Sequence, residues 1–256
     1  MISSWDPINI VVPMAGRGSR FAHAGFETPK PLIPIHGKPM IELVVNNVRP
    51  SHPHHFIFIC LEEHLHELPV AATLRALAPN CHIIPVKEVT EGAACTILLA
   101  KSRINNDRPL MIVNSDQWVD YRIDHYLSTM RDKDVDGLIM TMPESDPKWS
   151  YVKMDEKGNV IGVFEKQVVS REATVGIYNF RRGLDFVKGA ESMIALNKRV
   201  NGEFYVAPVY NELIDLGATI RCHNIQQKMH GLGIPNDLEN FIKSPASRKA
   251  ITACQP

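Results

Sequence analysis

Apolar segments and helical segments alternate along the first half of the chain, and this alternation limits the folds that it can form. Short runs rich in β-branched residues predict strands at residues 8–12, 55–60, 81–85 and 110–113. The segments between them predict helices at residues 39–48, 62–77 and 93–100. This order is typical of an α/β domain whose mostly parallel sheet carries helices on both faces.

The pattern becomes mixed after residue 137. Strands are predicted at residues 137–142, 151–154, 160–166, 174–180 and 219–224, with a helix at residues 183–196. No linker, repeat or low-complexity segment separates the two halves, so 256 residues predict a single domain. The tail after Phe241 has little periodicity, and we expect it to pack loosely or fray.

Composition excludes several classes of protein. The formal net charge is +0, which argues against nucleic acid or an anionic membrane as the main partner. The five cysteines are scattered without a Cys-x-x-Cys pair, so we expect reduced thiols rather than a disulfide frame or zinc site. Neither a leader-like start nor an apolar run long enough to span a bilayer is present in the sequence, and we expect a soluble, cytoplasmic protein.

A glycine-bearing turn follows the first predicted strand and has the chemistry of a phosphate site. Gly16 and Gly18 can adopt positive φ and let main-chain N–H groups approach phosphate oxygens. Arg20 offers a fork for two phosphate oxygens, and Lys30, held between two prolines, is a compact charge. The turn alone could be a plain tight connection, and it completes neither a Walker loop nor a dinucleotide fingerprint.

Three motifs in this region carry a resemblance to a known family: Gly16-Arg17-Gly18-Ser19-Arg20, Pro29-Lys30-Pro31-Leu32 and Gly37-Lys38-Pro39-Met40-Ile41. They are similar to the opening signature of the sugar-1-phosphate nucleotidyltransferases, and the likeness continues at intervals to the far end of the chain. The resemblance implies a Rossmann-like, three-layer α/β/α sandwich with a mostly parallel mixed sheet. It implies a nucleotide-binding half at about residues 1–120, an acceptor-binding half at about 121–242 and a tail at 243–256.

The resemblance also implies which residues hold the nucleoside triphosphate. Arg20 would hold the β- and γ-phosphates and Lys30 the α-phosphate. The remaining nucleotide-binding residues implied by the family are Ala15, Gly16, Gly18, Ser19, Glu91 and Gly92. Gly92 could instead be only a turn before a helix. None of these residues indicates which base is bound.

Asp116, at the end of the strand predicted at residues 110–113, is the expected Mg²⁺ ligand, because a carboxylate facing a triphosphate suits a hard cation. Its alternative role is to cap the following turn. Many relatives carry a second aspartate where this chain has Gly231. Asp116 and triphosphate oxygens could hold the metal alone, or Asp237 could reach in, although stabilising a helix start suits Asp237 better. The third alternative is weak or lost catalysis.

The acceptor residues are implied by resemblance as well. Lys166 would meet the acceptor phosphate and Glu165 its organic part, and the other matching positions are Gly176, Glu203 and Tyr205. Glu165 and Lys166 could otherwise form an exposed ion pair of little energetic weight. The family's usual aspartate after the aromatics is replaced by Ala207-Pro208, which indicates an unusual acceptor.

The expected activity is Mg²⁺-dependent transfer of a nucleotidyl group from an NTP to a sugar 1-phosphate or a small phosphorylated alcohol or amine. Its catalytic residues would be Arg20, Lys30, Asp116 and Lys166, with release of pyrophosphate. The altered loop and Gly231 favour a cytidylyltransferase of capsule or cell-surface polysaccharide synthesis, and a homo-oligomer is possible. The alternatives are a non-catalytic nucleotide or nucleotide-sugar regulator and a nucleotide-sugar-dependent glycosyltransferase.

Overall fold

The computed structural model describes residues 6–132 and 134–254, so the predicted domain limits at residues 1 and 256 lie outside it. Its strands are β1 (Ile8–Met14), β2 (Pro34–Ile35), β3 (Lys38–Pro39), β4 (His54–Leu61), β5 (His82–Val86), β6 (Leu110–Val113), β7 (Gln117–Val119), β8 (Gly137–Pro143), β9 (Ser150–Met154), β10 (Val160–Glu165), β11 (Glu172–Phe180), β12 (Ile220–Asn224) and β13 (Met229–Gly231). Every strand predicted from the sequence is present, and the short strands β2, β3, β7 and β13 were not predicted.

Nine of the strands form one mixed sheet. Its path is β10-β9-β11-β6-β1-β4-β5, and β8 joins β11 to β12. The pairs β6–β1, β1–β4 and β4–β5 are parallel, whereas β11 runs antiparallel to β6, β8 and β9. The parallel strands share one carboxyl edge, where ligands bind in open α/β sheets.

The helices are α1 (Ser19–His23), α2 (Met40–Asn47), α3 (Glu62–Glu67), α4 (Val70–Leu77), α5 (Ala93–Leu98), α6 (Lys101–Ile104), α7 (Ile123–Asp132), α8 (Gly183–Ala195), α9 (Val209–Asp215), α10 (Pro235–Lys243) and α11 (Pro245–Thr252). The prediction of a single helix at residues 62–77 is wrong, because the structure has two helices there. The helical segment is interrupted at Leu68 and Pro69, because proline removes a backbone donor and disfavours helical geometry in the residue before it.

Two apolar clusters confirm the three layers. In β1, Val11 belongs to the cluster that includes α5, α8 and α9, whereas Ile10 and Val12 belong to the cluster that includes α2, α4 and α7. Successive side chains of a strand point to opposite faces, so one continuous apolar run serves both layers. Within the described residues, no helix is long and apolar enough to cross a membrane.

A third apolar cluster joins the two ends of the chain. Phe21, Ile35 and Met40 from the N-terminal region pack with Phe241 and Ala250 from the C-terminal region. The expectation that the tail frays is therefore wrong. Its helix α11 buries Ala250, and the fully buried Ser247 hydroxyl lies 2.9 Å from His36 Nε2. Tertiary packing of one apolar stripe orders a segment whose sequence has little periodicity.

Candidate active site

A deep cleft among the described residues opens at the carboxyl edge of the parallel strands. Its volume is about 620 Å³. Six of the residues predicted from the sequence line it: Arg20, Asp116, Glu165, Lys166, Gly176 and Tyr205. The structure therefore brings residues from both predicted halves of the chain to one cavity.

The glycine-bearing turn after β1 positions the segment that carries Lys30. Gly18 has φ +62°, and a Cβ at this position would lie 3.2 Å from the Lys30 Cβ. The Gly18 carbonyl accepts a hydrogen bond from the N–H of Phe21 at 2.9 Å as α1 begins. A glycine is needed here because the left-handed backbone and the close Lys30 segment both disfavour a side chain. Ala15, Gly16 and Ser19 lie on the same turn, outside the cleft lining.

Asp116 lies just beyond β6 and is engaged by Lys30. The Lys30 Nζ lies 2.5 Å from Asp116 Oδ2, and their side chains are 19% and 30% exposed. Lys30 itself does not line the cleft. Two motifs that are 86 residues apart in the chain thus meet through one charge-assisted hydrogen bond.

Two glycines lie directly against the carboxylates of Asp116 and Asp237. A Cβ at Gly233 would lie 2.7 Å from Asp116 Oδ2, and a Cβ at Gly231 would lie 3.3 Å from Asp237 Oδ2. Asp237, in the first turn of α10, lines the same cleft as Asp116. The carboxylate of Asp237, from the helix that follows, therefore lies beside Gly231, where the chain itself has no side chain.

Glu165 ends β10 and is buried, with 6% of its surface exposed. The Ser150 hydroxyl donates a short hydrogen bond to its carboxylate. Burial raises the pKa of Glu165, while the Ser150 hydrogen bond and the Lys166 charge oppose this shift. The alternative of an exposed ion pair does not describe this site, because Glu165 is enclosed.

Lys166 is held by Tyr205 at the mouth of the cleft. Its Nζ donates a 2.7 Å hydrogen bond to the tyrosine hydroxyl and lies 4.9 Å from the ring centroid. The hydrogen bond to Tyr205 is the main cause of a raised Lys166 pKa. The ammonium group is thus fixed in its charged form at the cleft, where it can meet an anion.

Gly176 makes room for two side-chain amides. Its φ is +79°, and a Cβ there would lie 2.3 Å from Gln117 Oε1 and 2.4 Å from Asn114 Nδ2. Its carbonyl accepts the Asn114 N–H at 2.9 Å. The Gln117 Nε2 is buried and has no hydrogen-bond partner among the described residues. This amide can therefore bind a polar group that enters the cleft.

The loop around Gly92 joins the two halves of the cleft. The Phe204 N–H donates to the Glu91 carbonyl at 2.9 Å, and the Ala94 N–H donates to the Phe204 carbonyl at 3.0 Å. The Glu91 carboxylate pairs with Arg199 at 3.1 Å. Glu91, Gly92 and Glu203 lie outside the cleft lining, so these contacts support the walls of the cavity.

Sequence reasoning did not find several residues of the cleft. Lys148, Trp149 and Ser150 line it at the start of β9, and Thr174 and Tyr178 line it from β11. The Thr174 and Tyr178 hydroxyls lie 2.9 Å apart, and Tyr178 is buried. The sequence pattern that could have indicated Thr174 and Tyr178 is a polar side chain at inward-facing positions of a strand that otherwise buries apolar side chains.

Comparisons with known proteins agree with this geometry. The family model described as nucleotidyl transferase matches residues 10–197. The bifunctional protein GlmU of Methanococcus maripaludis (strain C5) is 23% identical over 248 residues, which cover 93% of this chain and 52% of that protein. The corresponding GlmU of Methanococcus aeolicus is 22% identical over 81% of this chain and 47% of that protein. The chain therefore spans about half the length of these curated relatives.

Solved structures share the fold over nearly the whole chain. The nucleoside-diphosphate-sugar pyrophosphorylase of Vibrio cholerae RC9 has a TM-score of 0.79 and 25% identity, covering 92% of this chain and 100% of that chain. The inositol-1-phosphate CTP transferase of T. maritima has a TM-score of 0.73 and 12% identity, covering 96% and 95%. The resemblance inferred from the three opening motifs is thus confirmed, and the chain belongs to the nucleotidyl transferase family.

Proposed function

We propose that this chain transfers the nucleotidyl group of an NTP to the phosphate of a sugar 1-phosphate or of a small phosphorylated alcohol or amine, releasing pyrophosphate. One observation carries the proposal: Arg20 and the Lys30-bound Asp116 lie at the same cleft as Lys166 and Glu165. Such a cleft suits two phosphorylated substrates, because it combines cations for both with a carboxylate for a metal.

The reaction needs positioning and charge neutralisation more than a base. The acceptor phosphate is already anionic near neutral pH, so its oxygen attacks the α-phosphorus in line. The bond from the α-phosphorus to the bridging oxygen breaks, and pyrophosphate leaves with the electron pair. In this proposal Arg20 binds the departing phosphates, Lys30 binds the α-phosphate and Lys166 binds the acceptor phosphate.

The residues at the cleft fit a Mg²⁺ ion. Asp116 and Asp237 would hold it, since Gly233 and Gly231 leave the space beside both carboxylates open. In the described part of the chain no group of three or more His, Cys, Asp or Glu side chains could hold a metal. The triphosphate would therefore supply further oxygen ligands, and the ion would neutralise charge on the phosphates.

Lys30 has two partners in this proposal. Its ammonium group lies 2.5 Å from Asp116 Oδ2, and in the proposed reaction it binds the α-phosphate. Since Asp116 would also hold the Mg²⁺ ion, Lys30 can exchange this carboxylate for the α-phosphate of the nucleotide. The ion pair thus keeps both charged groups in place until the donor arrives.

We favour CTP as the donor and capsule or cell-surface polysaccharide synthesis as the role. The support is the altered acceptor segment Ala207-Pro208, of which Ala207 lines the cleft, together with Gly231.

Pyrophosphate release over a matrix of NTPs, sugar 1-phosphates and phosphorylated alcohols, with and without Mg²⁺, tests the proposal. Lys30→Met should lower turnover about 10²- to 10³-fold, as expected for a lost transition-state donor. Lys38→Met is the matched control, because Lys38 pairs with Glu42 at 2.8 Å outside the cleft. If no pair of substrates releases pyrophosphate while an NTP still raises the melting temperature, the result would instead favour a non-catalytic nucleotide-binding regulator. Transfer from a nucleotide sugar without pyrophosphate would favour the glycosyltransferase.

Binding of Mn²⁺ in the presence of a non-hydrolysable NTP analogue, followed by calorimetry, tests the metal ligands without turnover. Asp237→Asn should weaken this binding about tenfold, the effect expected when one charged ligand is lost. Glu239→Gln is the control on the exposed side of the same helix. Equal Mn²⁺ affinity in Asp237→Asn and the wild type would remove Asp237 from the site.

A further inference from the structure

A second pocket lies at the opposite edge of the sheet, near the amino ends of β1, β4 and β5. Its volume is about 400 Å³. Asn9, His55 and His82 line it from the three strands. The strand β1 has 7 residues, so Asn9 is about 20 Å from the turn that opens the active-site cleft, at about 3.3 Å per residue. The pocket is therefore separate from the site described above.

The pocket is positively charged. Arg103 of α6 and Arg108 of the following loop line it, and none of the described side chains that line it is acidic. Neither arginine forms an ion pair among the described residues, whereas the nearby Asp107 is 3.9 Å from Arg182. The pKa of His82 is lowered, first by burial and then by the charge of Arg103. Two guanidinium groups therefore face the same cavity without a counter-charge.

Asn9 lines this pocket from β1, and its side-chain amide nitrogen lacks a partner among the described residues. The residue is 4% exposed. All other side chains of β1 are apolar. A buried donor without a partner is costly, and an apolar residue would avoid that cost in the middle of a sheet. The pocket thus offers an oxyanion one buried amide donor in addition to the two arginines.

Register explains why these groups meet. Asn9 pairs with His55 in the β1–β4 ladder, and Ile57 pairs with His82 in the β4–β5 ladder. Residues 55 and 57 share a face of β4, so the three polar side chains form a row on one face of the sheet. The helix α6 and the loop after it place Ser102, Arg103 and Arg108 over this row. The core strands form one wall of the pocket, and α6 with the loop after it forms the wall that carries the two exposed arginines.

We propose that this pocket is a second binding site for a phosphate group, in which Arg103 and Arg108 bind the charged oxygens and Asn9 donates to one of them. Arginine forks match the geometry of phosphate oxygens, and charge-assisted hydrogen bonds are the strong ones. The ligand is either a free phosphate ion or a phosphate ester. The site is independent of the proposed reaction.

The side-chain amide of Asn9 reports binding directly in ¹H–¹⁵N spectra of the uniformly labelled protein. Inorganic phosphate, pyrophosphate and CMP are titrated separately to about 10 mM, which would largely fill a site with a millimolar dissociation constant. A shift with the two ions alone assigns the site to free phosphates, and a shift with CMP assigns it to phosphate esters. An Asn9 amide that does not move with any of the three probes overturns the proposal.

Variants separate this site from general charge effects. Arg103→Gln combined with Arg108→Gln should weaken binding about tenfold or more, since charged hydrogen bonds are lost. Arg248→Gln, an exposed arginine of α11, should leave it unchanged. Asn9→Leu should keep the fold and reduce the rise in melting temperature that phosphate causes in the wild type. Equal affinity in the double variant and in Arg248→Gln would also overturn the proposal. Neither readout depends on turnover, so these results stand apart from the test of the proposed function.

Discussion

Gly92→Ala should destabilise the protein strongly, because Gly92 touches backbone from the other half of the cleft. Its φ is +132° and its ψ is 170°, a region almost restricted to glycine. A Cβ would lie 2.5 Å from the Phe204 carbonyl oxygen and 2.6 Å from the Phe204 nitrogen. Those two atoms make the hydrogen bonds to Glu91 and Ala94, so the loop cannot move aside without losing them.

The magnitude follows from these two effects. Backbone strain of this kind costs about 1–3 kcal/mol, and two lost backbone hydrogen bonds cost about 1 kcal/mol each. The sum is about 3–5 kcal/mol. For 256 residues the entropy of unfolding is about 0.5 kcal/mol per kelvin, so the melting temperature should fall by about 6–10 °C.

Thermal unfolding followed by circular dichroism measures this shift. Gly217→Ala is the control, since Gly217 has φ +88° but a Cβ added there would meet no described atom within 4 Å beyond its chain neighbours. Backbone strain alone should cost it about 1–2 kcal/mol, or about 2–4 °C. If Gly92→Ala loses no more stability than Gly217→Ala, contact with Phe204 does not matter and the reasoning is refuted.

Three further predictions concern the acceptor side and the tail. Glu165→Gln should raise the melting temperature at pH 7.5 more than at pH 4. Because burial raises the pKa of Glu165, its contribution to the free energy of unfolding is present below the unfolded-state pKa and is lost as the pH rises through the folded-state pKa. Thermal melts followed by fluorescence at both pH values check this. Tyr205→Phe removes the 2.7 Å hydrogen bond to Lys166 but keeps the ring, so the KM for the acceptor should rise about fivefold with kcat nearly unchanged in steady-state assays. Ser247→Leu should cost about 1–3 kcal/mol in urea unfolding, because Ser247 is fully buried against its partners, and an unchanged urea midpoint would contradict the packing of α11.

The strands and the two-sided core could be predicted from the sequence because each strand is a short, continuous apolar run between turn residues. The glycine-bearing turn after the first strand could also be recognised, since Gly16, Gly18, Arg20 and Lys30 lie close together in the chain. Local pattern alone carries that information.

Other parts depend on contacts between distant segments, and local patterns do not carry them. The strand pair β7–β13 joins residues 117–119 to 229–231 and creates the space that Asp237 enters. The burial of Glu165 depends on Ser150 in the neighbouring strand. The tail helix α11 has one apolar stripe, and it is ordered because this stripe packs against residues of the N-terminal region.

The cluster that joins both chain ends has a consequence for biosynthesis. Phe21, Ile35 and Met40 leave the ribosome long before their partners Phe241 and Ala250. The segment that carries Lys30 therefore cannot complete its packing until residues 241–250 have been synthesised, although the parallel strands can assemble sooner. A nascent chain stalled shortly before residue 235 should thus hold a formed sheet beside a glycine-bearing turn that is still exposed to proteases and chaperones.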